Sequence, residues 1–259
     1  MSVFSLHDLP NGWTVGRFGA LDRLAGVRHA VTSRRGLDVD LVRADRQAAA
    51  EALAGAMGIR AVAFLEQVHG DEILEISGRG PGGPARPGAS GLAGRGDGLL
   101  TDEPGLGLMV VSADCPLVLL AEKDGRAVGV AHASWRGTVK QISLKLARRA
   151  AERYGLDPSR LVACISPSAG PRRYEVGPEV VASAIAGIGP HAVAFFPRRD
   201  GKTFFDLWAA NRHQLLAAGL REENVHVAGF CTIERNDLFP SRRAEGPRAG
   251  RFAAVIGRQ

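Results

Sequence analysis

The sequence predicts a domain of the α/β or α+β class, and three observations predict it. Strand and helix signals intermingle along the whole chain instead of separating into halves. The chain has 259 residues, 45% hydrophobic and 23% charged, with a mean hydropathy near zero, which suits a globular protein with a sizeable core. No internal repeat or long low-complexity tract divides it, so residues 1–259 are expected to form a single domain.

In chain order, the first helix signal is the Ala-, Leu- and Glu-rich run from Arg43 to Met57, which stops at Gly58. The apolar run "AVAFLEQV" follows as a strand. Ser77–Gly98, "SGRGPGGPARPGASGLAGRGDG", is too dense in Gly and Pro for a regular element and is expected to be a long mobile loop inside the domain. "GLMVVS", "PLVLLAE" and "AVGVAHA" are strands. Thr138 to Tyr154 spaces Val139, Ile142, Leu146, Ala150 and Tyr154 for a helix that Gly155 caps. "LVACIS" is a strand, Asp206 caps a helix through "LWAANRHQLLAA" to Gly219, and "HVAGF" and "FAAVIG" are the last strands.

Composition narrows the function classes. No apolar run approaches the roughly 20 residues that span a bilayer, and the N-terminus has no basic n-region or apolar h-region, so no membrane partner and a cytoplasmic location are expected. Three cysteines are too few for a disulfide framework. The formal net charge of +6 permits phosphate or nucleic-acid partners. The charges are scattered, with no basic block interleaved with aromatics, so nucleic-acid binding is not expected.

Chemistry concentrates at one hairpin. In "PLVLLAEKDGRAVGVAHA" two apolar runs flank Asp124–Gly125, a strong tight-turn signal. Centring the turn there places His132 opposite Leu117 and makes Cys115 its diagonal neighbour on the same face. A turn one residue earlier sets Cys115 directly opposite His132, whereas a three-residue loop puts them on opposite faces. A thiol and an imidazole together at a strand end indicate a metal site or a nucleophile with its base. His69 ends another apolar run before Gly70, and two histidines with one cysteine make the three-ligand set of catalytic zinc sites.

Seven motifs then occur in order: "QVHGD" (67–71), "DGLLTD" (97–102), "ADCPLVLL" (113–120), "VAHASWRGTV" (130–139), "YEVGPEV" (174–180), "FDLWAANRHQL" (205–215) and "CT…FPSRRAEGPRAGRFAAVI" (231–256). Together they resemble the bacterial polyphenol-oxidase or laccase-domain family, also called purine nucleoside phosphorylase or peptidoglycan editing factor. The resemblance implies a single-domain α/β sandwich with mixed sheets, distantly like a toxin deamidase fold. It also implies a zinc site of His69, Cys115 and His132, and phosphorolysis of adenosine, guanosine, inosine and methylthioadenosine, with adenosine deamination at its side. Copper-dependent phenol oxidation is the older family name, but seven unclustered histidines do not make a copper relay. The chain departs from the family pattern at Ser134, usually glycine, and at Arg172 and Arg173, usually cysteines. It also has Ile233–Glu234–Arg235 where a second cysteine usually follows "CT". These departures are expected to alter the pocket wall.

For phosphorolysis, Arg34, Arg136 and Arg242 are the expected phosphate ligands, because a guanidinium fork matches phosphate oxygens. Asp97 is expected as a proton carrier or ribose contact, Glu175 in a similar role, and the neighbouring Tyr174 as a stacking surface for the base. Cys164 and Cys231 read as structural, and the remaining histidines carry no assigned role. Two alternatives stand beside this reading: a metal-free Cys–His hydrolase acting on amide bonds, for example in peptidoglycan precursors, and a non-enzymatic partner protein.

Overall fold

The computed structural model describes residues 3–76 and 89–259. Along the first half run β1 (Phe4–Asp8), β2 (Thr14–Phe18), α1 (Gly19–Asp22), β3 (Val27–Thr32), α2 (Val39–Ala44), α3 (Arg46–Met57), β4 (Ala61–Glu66), β5 (Ile73–Ile76), β6 (Gly91–Arg95), β7 (Gly98–Thr101) and β8 (Leu106–Ser112). The second half carries β9 (Leu117–Glu122), β10 (Val128–His132), α4 (Trp135–Val139), α5 (Ile142–Tyr154), β11 (Leu161–Ile165), α6 (Pro178–Ile188), β12 (Arg198–Arg199), β13 (Lys202–Thr203), α7 (Leu207–Ala217), β14 (Val225–Val227), α8 (Arg242–Glu245) and β15 (Phe252–Arg258).

Among the described residues the strands form a seven-stranded sheet, ordered β1-β2-β3-β15-β8-β4-β6, and a six-stranded sheet, ordered β14-β11-β9-β10-β7-β5. Both are mixed: β4 runs parallel to β6 and β8, while β15 runs antiparallel to β3 and β8. The period-2 alternation of strand side chains builds the layers. Leu108 and Val110 of β8 and Leu117 and Leu119 of β9 share one apolar cluster between the sheets. Met109 and Val111 face the other way, onto Leu53 and Ala50 of α3. Val118 and Leu120 face Leu146 of α5 and Leu215 of α7. The result is the expected α/β sandwich, helix layers outside two sheets, and it explains why β8, β9 and β10 are buried along their whole length.

Two predicted helices are broken, each for a stated reason. The Arg43–Met57 run divides into α2 and α3 at Asp45, whose extended backbone lets its carboxylate accept from the Ala48 N–H and cap α3. The Thr138–Tyr154 run divides into α4 and α5 at Gln141, which sits at φ 63°. The Thr138 carbonyl, which a continuous helix would give to Ile142, instead accepts from the Gln141 N–H at 2.9 Å and from Gln214 Nε2 at 2.7 Å. Gly58, Gly155 and Asp206 cap as the sequence indicates.

The glycine-rich segment needs correction. Residues 77–88 lie outside the described residues, but Gly91–Arg95 within it is strand β6. The parallel ladder to β4 supplies the backbone hydrogen bonds, and Gly94 meets Leu74 so closely that a Cβ would approach its Cδ1 to 2.8 Å.

Candidate metal centre

The β9–β10 hairpin takes the register centred on Asp124–Gly125: His132 pairs with Leu117, so Cys115 is its diagonal neighbour. Pro116 accepts from the Ala133 N–H at 2.8 Å, which closes the open end of the hairpin just inside Cys115. Cys115 follows Asp114, whose φ of 99° is rare for a residue with a side chain. That conformation is held by hydrogen bonds on three sides. The Asp114 carboxylate accepts from Thr232 Oγ1 and from the Arg243 N–H, both at 2.7 Å, and its carbonyl accepts from the Ala169 N–H at 2.7 Å.

His69 arrives from the other sheet, on the turn after β4, also with positive φ (60°). Gln67 fixes the approach by pairing its carboxamide with the Val111 peptide, donating at 2.8 Å and accepting at 2.9 Å. Asp97 ties the turn to the hairpin. Its buried carboxylate accepts from the N–H groups of Val68, His69 and Gly70 at 3.2, 3.1 and 2.6 Å, and from His132 Nδ1 at 2.8 Å. With Nδ1–H directed at Asp97, Nε2 of His132 faces Cys115 and His69. The two imidazole rings lie 4.9 Å apart and nearly perpendicular, at 88°.

The ligand atoms of His69, Cys115 and His132 all lie within 4.8 Å of one another, and this is the one group of metal-capable side chains among the described residues. Two imidazole nitrogens and a thiolate, one imidazole backed by a carboxylate, are the donors that suit a borderline-soft cation such as zinc. Electrostatics agrees. Burial works against charge on His132, but negative charge at Cys115 and the Asp97 hydrogen bond overcome it, and its pKa is pushed up to about 9. A cation at Nε2, proton or metal, is therefore welcome. Burial and the neighbouring His132 hold the His69 pKa below the usual imidazole range, so this ring offers a free lone pair. Burial also opposes charge on Asp97, yet the His132 hydrogen bond and the turn amides keep its carboxyl below the usual range.

A cavity of about 290 Å³ opens over these three residues. Arg136, Tyr174 and Arg242 line it. Three other expected contacts lie elsewhere. Asp97 is fully buried, holds the His132 ring through Nδ1 and is not among the lining residues. Arg34 pairs with Glu245 at 2.5 Å and donates to the Asn236 carbonyl at 2.8 Å, outside the lining. Glu175 pairs with Lys202 at 2.9 Å in a different groove, because the backbone turns away after Tyr174.

The lining includes Arg46, Gln67, Trp135, Arg243 and Arg251, to which the sequence reading gives no role. Arg243 packs over the Tyr174 ring at 4.7 Å, and Arg136 over Trp135 at 4.4 Å. Gln67, Trp135, Arg243 and Arg251 stand inside the quoted motifs, whereas Arg46 lies in none of them and looks like any charged residue at a helix start.

The departures from the family pattern also miss the cavity wall. Ser134 is buried and caps α4, accepting from the Gly137 N–H at 3.1 Å. Arg172 and Arg173 line a separate groove beside Trp208 and Cys231. Cys164 is buried in the core between the sheets, and Cys231 is buried too, its sulfur accepting from the Gly170 N–H at 3.2 Å.

Known proteins place the chain. The purine nucleoside phosphorylase of Deinococcus radiodurans is 34% identical over 246 residues, covering 89% of each chain. Purine nucleoside phosphorylase YlmD of Geobacillus stearothermophilus is 36% identical over 197 residues, 75% of this chain and 71% of its own. The crystal structure of YlmD from Geobacillus stearothermophilus superposes with a TM-score of 0.78 at 31% identity, covering all of both chains. A hypothetical protein YfiH of Bacillus licheniformis gives 0.79 at 25% identity, covering 95% of this chain and 96% of its own. The family model described as multi-copper polyphenol oxidoreductase laccase matches residues 21–259, and the chain belongs to that family.

Proposed function

We propose that this chain is a zinc-dependent purine nucleoside phosphorylase acting on adenosine, inosine, guanosine and methylthioadenosine. One observation carries the reading: a His69–Cys115–His132 donor set and a group of arginines that have no acidic partner among the described residues share one cavity. The names of the relatives support the reaction class.

In phosphorolysis a phosphate oxygen bonds to ribose C1′, the glycosidic bond breaks, and the purine leaves with the bonding pair and takes up a proton. The lining matches these demands in parts. The arginines hold the phosphate dianion against C1′, where positive charge develops. Trp135 and Tyr174 supply aromatic surface for the purine. Burial pushes the Tyr174 phenol up to about 12, so it keeps its proton at neutral pH and offers a hydrogen-bond donor. His69, Cys115 and His132 would hold zinc, which as a Lewis acid would polarise the nucleoside or bind a water. Asp97 fixes the His132 tautomer, and Gln67 and Asp114 fix the backbone on either side.

A second reading has one observation in its favour. Asp97, His132 and Cys115 form a carboxylate–imidazole–thiol series, the arrangement of a cysteine nucleophile with its base, and it supports an amidase acting on peptidoglycan precursors. Deamination of adenosine and copper-dependent phenol oxidation have no feature of their own in the cavity.

Untagged protein, analysed for metal and assayed on adenosine with and without phosphate, tests the proposal. Near-stoichiometric zinc with adenine released only in phosphate is the expected result. Inosine formation would replace it with a deaminase. Absence of metal, with rapid Cys115 alkylation, would move the site to the nucleophile reading.

A further inference from the structure

We infer that Arg46 and Arg251 form the oxyanion dock of the cavity, and that its occupant is free inorganic phosphate. The identity of the anion rests on the phosphorolysis reading; the dock itself rests on the arginines.

Several arginines of the chain have acidic partners: Arg17 with Asp22, Arg149 with Glu75, Arg212 with Glu222 and Arg235 with Asp237, all at 2.9 Å or less. Among the described residues, Arg46 and Arg251 form no such pair, although both are half-buried. Glu66, whose charge reaches Arg46, is engaged with Arg95 at 3.4 Å. Burial disfavours charge on both guanidiniums, and on Arg251 the repulsion of Arg242, Arg43 and Arg46 adds to it. Half-buried cations that repel one another across an open cavity make a strongly positive wall, and an anion relieves it.

Geometry makes the wall a fork. Arg46 opens α3 and anchors Nη1 on the Leu65 carbonyl at 2.6 Å, at the end of β4. Arg251 precedes β15, where Phe252 pairs with Ser112, and its Nη1 donates to the Ala249 and Gly250 carbonyls at 2.6 and 2.9 Å. Each guanidinium is thus held by backbone through Nη1, Nε and Nη2 carry no hydrogen bond to the protein among the described residues, and both side chains line the cavity. Arg46 bonds the end of β4, just before His69, and Arg251 enters β15 beside the end of β8, just before Cys115, and the Arg251 charge is felt at both donors. Tyr174 and Trp135 come from the second sheet's side of the cavity, as does α4. The nucleoside therefore lies with its purine toward Tyr174 and its C1′ toward the Arg46–Arg251 wall. This assignment replaces Arg34 and puts Arg136, stacked on Trp135, at the purine end.

Calorimetric titration of inorganic phosphate into the zinc-loaded full chain tests the dock without turnover. Arg46→Gln and Arg251→Gln should each weaken phosphate about tenfold or more, the scale of a lost charge-assisted hydrogen bond. Arg212→Gln, far from the cavity, should leave it unchanged. Arg251→Lys, which keeps charge but not the fork, should recover part of the loss, and thermal melting of each variant separates a lost dock from a lost fold. In turnover, the same variants should raise KM for phosphate and leave KM for the nucleoside unchanged. Wild-type phosphate affinity in both folded Gln variants overturns the dock. Titration with AMP distinguishes the source: if AMP binds through these arginines and inorganic phosphate does not bind, free phosphate is the wrong occupant. Phosphate bound through Arg46 and Arg251 by a chain that releases no base breaks the activity reading alone.

Discussion

Two buried histidines, one in each sheet, show what turns burial into a site. His29 on β3 and His132 on β10 are 0% and 2% exposed. His132 has Asp97 at 2.8 Å on one nitrogen and Cys115 on the other, and its pKa rises to about 9. His29 Nε2 accepts the Phe18 N–H at 2.8 Å, while its Nδ1 has no hydrogen-bond partner among the described residues and Asp22 stands 3.9 Å away. Burial therefore dominates, Asp22 only partly offsets it, and the His29 pKa falls to about 4. The same side chain in the same kind of strand is cation-seeking in one sheet and locked neutral in the other. The partner on the second nitrogen decides.

Several changes should break or sharpen that contrast. The largest effect is expected from Cys115→Ser and His132→Ala, which should each lose the metal and more than about a hundredfold in activity, beyond the loss typical of a ligand's supporting residue. His29→Leu should keep the metal, measured by elemental analysis, and cost only stability, about 1–3 kcal/mol, because the Phe18 N–H loses its acceptor. Asp97→Asn keeps the shape but weakens the hold on His132, so metal affinity measured by chelator competition should fall about 10–100-fold. An unchanged affinity would show that the ring is oriented by packing alone.

The pH dependence of stability reads His29 directly. Its folded pKa of about 4 lies below the ordinary 6.5, so between these values the unfolded chain binds the extra proton. The stabilisation is complete above pH 6.5 and is lost as pH falls toward 4, by about 3 kcal/mol in urea unfolding. His29→Leu should flatten that slope, and an equal slope in the variant would assign it to other groups. The smallest effect is at α4: Ser134→Ala should cost about 1 kcal/mol and Ser134→Gly only a few tenths, because the cap bonds Gly137 and touches no ligand.

Part of the site was legible in the sequence. The Asp124–Gly125 turn fixes a hairpin register, and a period of two then carries Cys115 and His132 to one face. His69 could be read as a residue at a strand end and assigned through the family resemblance. Its approach to the hairpin depends on Asp97 and Gln67, which bridge segments 27 to 44 residues apart in sequence. Arg46 lies in no motif, and the half-burial of Arg46 and Arg251 was not legible, because it exists only where β15 and β4 flank β8. Arg34 and Glu175 were misplaced for the complementary reason: Glu245 and Lys202, which engage them, are 211 and 27 residues away in sequence.

By itself the sequence determined what is local. Apolar periodicity marks most of the central strands, Asp45, Asp206, Gly58 and Gly155 mark helix ends, and one tight turn marks the hairpin that carries two of the three donors. Tertiary structure decided the rest. It broke a helix at Gln141 because Gln214 takes the Thr138 carbonyl, made a strand of Gly91–Arg95 because β4 lies beside it, and gathered arginines over the donors. Turn type and side-chain period are properties of neighbouring residues. Strand order is a property of the whole chain, and the charge environment of a side chain follows strand order.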